Sequence, residues 1–145
     1  MKSAGFRVLL AGFLGGFVGN AVMGILFMSP PIHGVLYDPS IQSKLFIDIT
    51  QQRNIPLSVA GLVVLSIIPA VLFSVLHKAI PYDTWLKKGL FWGLTIWAMF
   101  WLMQEWFIYH TLLQEPLALT FIELIILLVG SLVQGIIIAY IIQKK

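Results

Sequence analysis

Gln104–Glu123 reads QEWFIYHTLLQEPLALTFIE. This stretch has the form of a tight hairpin between two membrane-spanning helices, with a carboxylate on each arm. Glu105 stands near the end of one helix and Glu123 near the start of the next. The rest of the chain agrees with that reading. Apolar residues make up 59% of the 145 positions and charged residues only 10%, where soluble proteins carry about a quarter charged. With a mean hydropathy of +0.96, a soluble core cannot absorb so much apolar surface, and lipid must be the solvent.

Outward from the hairpin, four apolar runs are each long enough to cross about 30 Å of hydrocarbon at about 1.5 Å per residue. They cover roughly 8–28, 56–76, 89–109 and 117–142 of a single transmembrane domain over residues 1–145. The expected fold is an all-α integral membrane protein, a four-transmembrane-helix bundle. Gly12, Gly15, Gly16 and Gly19 share one face of the first run, a surface that admits a close helix neighbour. Thr120, Glu123, Leu127, Gly130, Ser131 and Gln134 form a polar and small stripe on the last run, which must face protein rather than lipid.

The basic residues set the orientation. Lys2, Arg7, Lys78, Lys87, Lys88, Lys144 and Lys145 fall on one side of such a bundle, Lys44 and Arg53 on the other. Under the positive-inside rule both termini are cytoplasmic, which suggests a bacterial inner membrane. The formal charge of +3 is thereby explained by topology, without nucleic acid. Residues 29–55 are then external. Within that loop Asp38-Pro39 resembles a cap and first helical turn. Ile41, Leu45, Phe46 and Ile49 follow at helical spacing, which predicts one short amphipathic helix in the outer interface. Its expected role is to cap the bundle, with a docking surface or a lid as the functional alternative.

Several chemistries are excluded. The chain has no cysteine, so thiolate catalysis and iron–sulfur ligation are absent. No P-loop, G-x-S-x-G or H-E-x-x-H occurs. His33, His77 and His110 do not converge by spacing, and at 100° per residue His110 lies about 140° from Glu105. No metal and no cofactor is expected. The tryptophans of the third run, Trp92, Trp97, Trp101 and Trp106, read as bundle packing, with a quinone or pigment wall as the alternative.

The candidate site is intramembrane and polar. Measured from the midpoints of their runs, Glu105 and Glu123 lie about 9 and 10 Å toward the outside, and a short connection makes the two helices antiparallel neighbours. Asn20 on the first run can join them, and Tyr109, Gln104 and Gln134 complete the candidates. Ionisable groups at membrane depth suggest function by default. Two close carboxylates can share a proton, bind a cation or hydrogen-bond a ligand. A protonated Glu acting as helix–helix glue is the structural alternative.

The segments KGLFWGLTIWAMFW and EWFIY, the Glu115-Pro116 step and Glu123 in FIEL resemble small bacterial four-helix membrane proteins of no assigned activity. The resemblance covers the second half of the chain. It implies the fold and no function.

With no catalytic constellation complete, the leading expectation is a non-enzymatic accessory or structural subunit. Its partners would be the lipid bilayer and other membrane subunits, or further copies of itself. The first rival is a proton- or cation-coupled transporter or channel using the carboxylate pair. The second is a lipid-, quinone- or pigment-binding protein.

Overall fold

The structure, a computed structural model, describes residues 4–50 and 54–144, and among them every regular element is helical. Lys2, Arg53 and Lys145, counted in the charge asymmetry, lie outside the described residues, as do the side chains of Phe46 and Ile49. Three helices are long and apolar enough to cross a membrane: α1 (Ala4–Phe27), α4 (Ile55–Leu76) and α6 (Leu117–Gln143). The expected third run is helical but not continuous α-helix. It consists of α5 (Trp85–Ile96) followed by two π-helical stretches, π1 (Trp97–Trp101) and π2 (Gln104–Leu112).

α6 is the centre of the assembly. α1 and α5 both pack along it, and α4 docks chiefly on α1. Missing side chains make these contacts close. A methyl group on Gly12 would sit 2.8 Å from the Ile67 Cα of α4, and one on Gly19 would sit 2.9 Å from the Gly130 carbonyl of α6. The predicted glycine face is therefore used, and it serves two neighbours within the chain. The same device operates on the other side of α6, at positions the sequence reading did not select. Gly93 of α5 lies so close to α6 that a Cβ there would meet the Ser131 carbonyl at 2.5 Å. Gly135 of α6 faces Gly89 and Gly93 in return.

The apolar packing falls into two clusters. Ala11, Ala70, Phe73, Trp92, Ile138 and Ala139 fill the end that holds the start of α1 and the end of α6. Met23, Leu36, Leu119, Ile126 and Leu127 fill the opposite end. The tryptophans belong to this packing. Trp92 Nε1 donates to the Pro69 carbonyl of α4 at 3.1 Å, and Trp97 Nε1 donates to the Leu124 carbonyl of α6 at 2.9 Å. At the first end Arg7 donates to the carbonyls of Ile141 and Lys144, at 2.7 and 2.6 Å. A cation there satisfies the free carbonyls of the last turn of α6 and opposes its dipole. Lys88 likewise reaches the His77 carbonyl at 2.8 Å, beyond the end of α4.

The segment between α1 and α4 departs from expectation. Instead of one amphipathic helix it holds two short ones, α2 (Pro30–Leu36) and α3 (Lys44–Thr50). Pro30 and Pro31 open α2 because the first helical positions need no backbone donor. Asp38 does not cap a helix. Its Oδ1 accepts from the Ser40 amide at 2.8 Å and the Ser40 hydroxyl at 2.7 Å, closing a turn, the Asx geometry that competes with helix formation. Those bonds hold the Asp38 carboxyl below the usual carboxylate range. The chain straightens through Ser43 and becomes helical only at Lys44.

Candidate functional site

The hairpin that opened the sequence reading carries three converging carboxylates, one more than expected. Oxygens of Glu105, Glu115 and Glu123 all lie within 4.8 Å of one another. Each comes from a different part of the turn. Glu105 begins π2, Glu115 sits in the four-residue link between π2 and α6, and Glu123 is on the second turn of α6.

The π winding shapes this arrangement. Backbone bonds five residues apart, such as the Leu113 amide to the Ile108 carbonyl at 2.8 Å, bring residues i and i+5 nearly over one another. At that spacing Glu105 and His110 are closer in angle than the roughly 140° of an α-helix, yet His110 is not among the residues whose ligand atoms converge. The His110 Nδ1 lies 2.8 Å from the Glu115 carbonyl. The link reverses direction at Gln114, whose φ of 58° is in the left-handed region. That region is costly for a residue with a Cβ. The reversal turns the Glu115 side chain back over the hairpin.

Burial is deep. Glu105 is 3% exposed and Glu115 1% exposed. A carboxylate oxygen of Glu105 and one of Glu123 lie within 4.8 Å of each other. Glu115 accepts from the Thr120 hydroxyl at 3.0 Å on Oε2, and from the Gln42 amide at 3.4 Å on Oε1. Burial pushes the Glu115 carboxyl above its ordinary value, against the opposing pull of those two donors and of His110. Two oxygens of the cluster region are buried with no hydrogen-bond partner, Glu105 Oε2 and Gln42 Oε1. No lysine or arginine occurs anywhere from residue 89 to 143.

The segment between α1 and α4 covers the hairpin. Gln42 Nε2 also donates to the Leu36 carbonyl at 2.8 Å, and the Ser43 hydroxyl donates to the Leu113 carbonyl at 2.5 Å. Residues 36–43 are thus laid across the link and fastened to it.

The other expected site residues are distributed differently. Asn20 does not join the carboxylates. Its Nδ2 donates to the Gly16 carbonyl one turn back at 2.8 Å, and it lines a crevice of about 310 Å³ between α1 and α4 with Phe17, Val63 and Ser66. The rotation that seats Gly12 and Gly16 on α4 carries Asn20 to that side. Gln134 is buried at the α1–α6 crossing against Gly19, eleven residues and about 16 Å of helix from Glu123. Ser131 is fully buried near it, and its hydroxyl has no hydrogen-bond partner among the described residues. Tyr109 contributes its carbonyl, which accepts from the Glu115 amide at 3.0 Å. Gln104 is half-buried at the start of π2. Glu115 and Gln42 are the contributors that the sequence reading did not bring to the site. Glu115 stands directly before Pro116, the residue at which α6 is capped, and an acidic group at a helix N-terminus was the one local signal available.

Comparison of this chain with protein-family models, with curated proteins and with solved structures finds no match.

Proposed function

We propose that this chain is a small proton- or cation-coupled membrane transporter or channel that works through Glu105, Glu115 and Glu123. The observation that carries the reading is the convergence of three carboxylates within 4.8 Å in a segment without lysine or arginine. A buried carboxylate left without a partner costs several kcal/mol at an order-of-magnitude level. His110 offsets part of the charge on Glu115, and with no lysine or arginine in the segment the rest must be met by protons or a cation. A site that loads and unloads positive charge at membrane depth is what translocation requires.

In this reading the chain crosses the membrane four times, with Trp85–Leu112 as the third crossing and both termini cytoplasmic in a bacterial inner membrane. Support comes from the gathering of Arg7, Lys88 and Lys144 at the end remote from the carboxylates, as the positive-inside rule requires. The carboxylate end is then external, under α2 and α3. Ser131 and Gln134 continue a polar line along α6 toward the inside.

The accessory-subunit reading drew partly on the glycine face of α1, and that face is occupied by α4 and α6. The pigment or quinone reading drew on the tryptophan face, and Trp92 and Trp97 have their N–H groups committed to α4 and α6. Both readings lose a support that the carboxylate cluster retains.

The test is flux. The protein in sealed vesicles should carry protons or cations above empty-vesicle background, and Glu105→Gln and Glu123→Gln should abolish that flux while leaving the helical fold intact. Wild-type flux equal to background would remove the reading. Loss of folding in both variants would assign the pair to helix–helix bonding instead.

A further inference from the structure

We propose that Glu105, Glu115 and Glu123, with the amide oxygen of Gln42, form a binding site for a hard divalent cation of calcium size. This rests on the cation reading above and names its substrate class. Carboxylates alone do not make a site, and two further observations point to a ligand. Glu105 is 3% exposed and Gln42 9% exposed, and each holds one buried oxygen with no hydrogen-bond partner, Glu105 Oε2 and Gln42 Oε1. Both residues adjoin Glu115. Gln42 touches it through Nε2 at 3.4 Å, and Glu105 does so through the carboxylate cluster. Buried acceptors are normally satisfied, so an orphaned carboxylate oxygen on Glu105, with an orphaned amide oxygen on the side chain that touches Glu115, points to a missing positive partner.

The donor set selects the ion. All the groups are oxygens, three carboxylates and one amide, which suit hard cations over the softer ones that favour sulfur and imidazole. Ligands on opposite sides of Ca2+ are about 4.6–5.2 Å apart, from bonds of about 2.3–2.6 Å, and those of Mg2+ about 4.0–4.2 Å apart. Oxygens all within 4.8 Å of one another can close on one ion of either size, and hydration separates the two. Mg2+ also keeps several waters, which a cluster this buried does not readily hold.

The experiment is calorimetric titration of the full chain in nanodiscs of zwitterionic lipid, with CaCl2 and separately MnCl2. The expected result is saturable binding of one ion per chain, weakened at least tenfold by Glu115→Gln and by Glu123→Gln and several-fold by Gln42→Ala. Absence of saturable binding up to roughly 10 mM, an order beyond the weakest protein Ca2+ sites, overturns the proposal. So does unchanged affinity in the two Gln variants. If those variants fail to fold, the wild type decides. Its thermal midpoint should rise with Ca2+ beyond the effect of NaCl at equal ionic strength, and no such rise overturns the proposal. Proton or Na+ flux that needs Glu105 and Glu123 without divalent binding would overturn this inference and leave the transport reading standing. Divalent binding without any flux would do the reverse.

Discussion

Gln42 and Glu115 lie 73 positions apart in the chain, and the amide of one meets the carboxyl of the other at 3.4 Å over the mouth of the hairpin. Gln42 thus tethers the segment between α1 and α4 to the carboxylate cluster. It is held from behind by its 2.8 Å bond to the Leu36 carbonyl. Removing it frees residues 36–43 at one of their two attachments and leaves Glu115 Oε1 without a donor. Gln42→Ala should cost about 1 kcal/mol of stability, the ordinary worth of a partly compensated buried hydrogen bond. It should also speed release of bound ion several-fold, because the covering segment is looser. Stopped-flow chelation of a Ca2+-loaded sample measures that rate. An unchanged rate would mean that the segment does not cover the site.

The glycines of α5 and α6 separate close approach from mere helical content. A Cβ at Gly93 would meet the Leu132 Cα at 2.6 Å, whereas one at Gly61 has nothing within 4 Å. Backbone cannot yield as a flexible side chain can. Gly93→Ala should therefore destabilise by about 1–3 kcal/mol through overpacking. Gly61→Ala should be neutral, or stabilising by up to about 1 kcal/mol, since alanine is the better helix former. Unfolding in mixed detergent micelles compares the two, and a larger loss at Gly61 would contradict the assigned α5–α6 contact.

The long π-helical stretch predicts an unusual response to shortening. In π2 the backbone ladder spans five residues, one more than in an α-helix, so removal of one residue lets the segment return toward α winding. Phe107 is 60% exposed and its deletion removes little packing. The deletion should keep the helical content seen by circular dichroism. At the same time it should swing Glu105 away from Glu115 and Glu123 by about one α-helical residue step, roughly 100°. Ion binding and flux should be lost together. Retention of both would show that the π register does not position Glu105.

How much of this was legible in the sequence follows from the range of each signal. Apolar run length and the glycine spacing of α1 are local, and they located α1, α4 and α6 to within a few residues. That Glu105 and Glu123 can share a depth follows from helix rise across a short connection, but which way their side chains face does not. Glu115 was not assigned to the site, because a link residue has no periodicity, and its burial depends on Gln42 from far earlier in the chain. The π winding leaves no compositional mark in WAMFW or QEWFIYHTL, so the angular spacing within that stretch cannot be read from the sequence. Asn20 was placed by depth alone, and depth cannot say which way a helix is rotated. The Gly89–Gly93 spacing was a readable signal of the same kind as the α1 face, and it was passed over beside the tryptophans.

The last prediction concerns pH in the ion-free protein. Glu115 is outside the long helices, and its carboxyl is raised above the ordinary range chiefly by burial, with Thr120, Gln42 and His110 pulling the other way. Glu105 and Glu123 face it with like charge when ionised. A carboxyl whose folded-state pKa is raised binds its proton more tightly in the folded chain than in the unfolded one, so its contribution to stability is greatest at low pH. That contribution falls as pH climbs from the unfolded value, about 4.3, through the raised folded value. In chelator, stability should therefore decline across that window as pH rises. Glu115→Gln, which has no proton to lose there, should flatten the decline. Saturating Ca2+ should reverse its sign in the wild type, because the ion competes with protons for the same oxygens and binds better as they leave. Thermal unfolding from acid to neutral pH, with chelator and with Ca2+, tests both slopes. A stability that rises with pH in chelator would show that Glu115 is ionised in the folded protein without the ion.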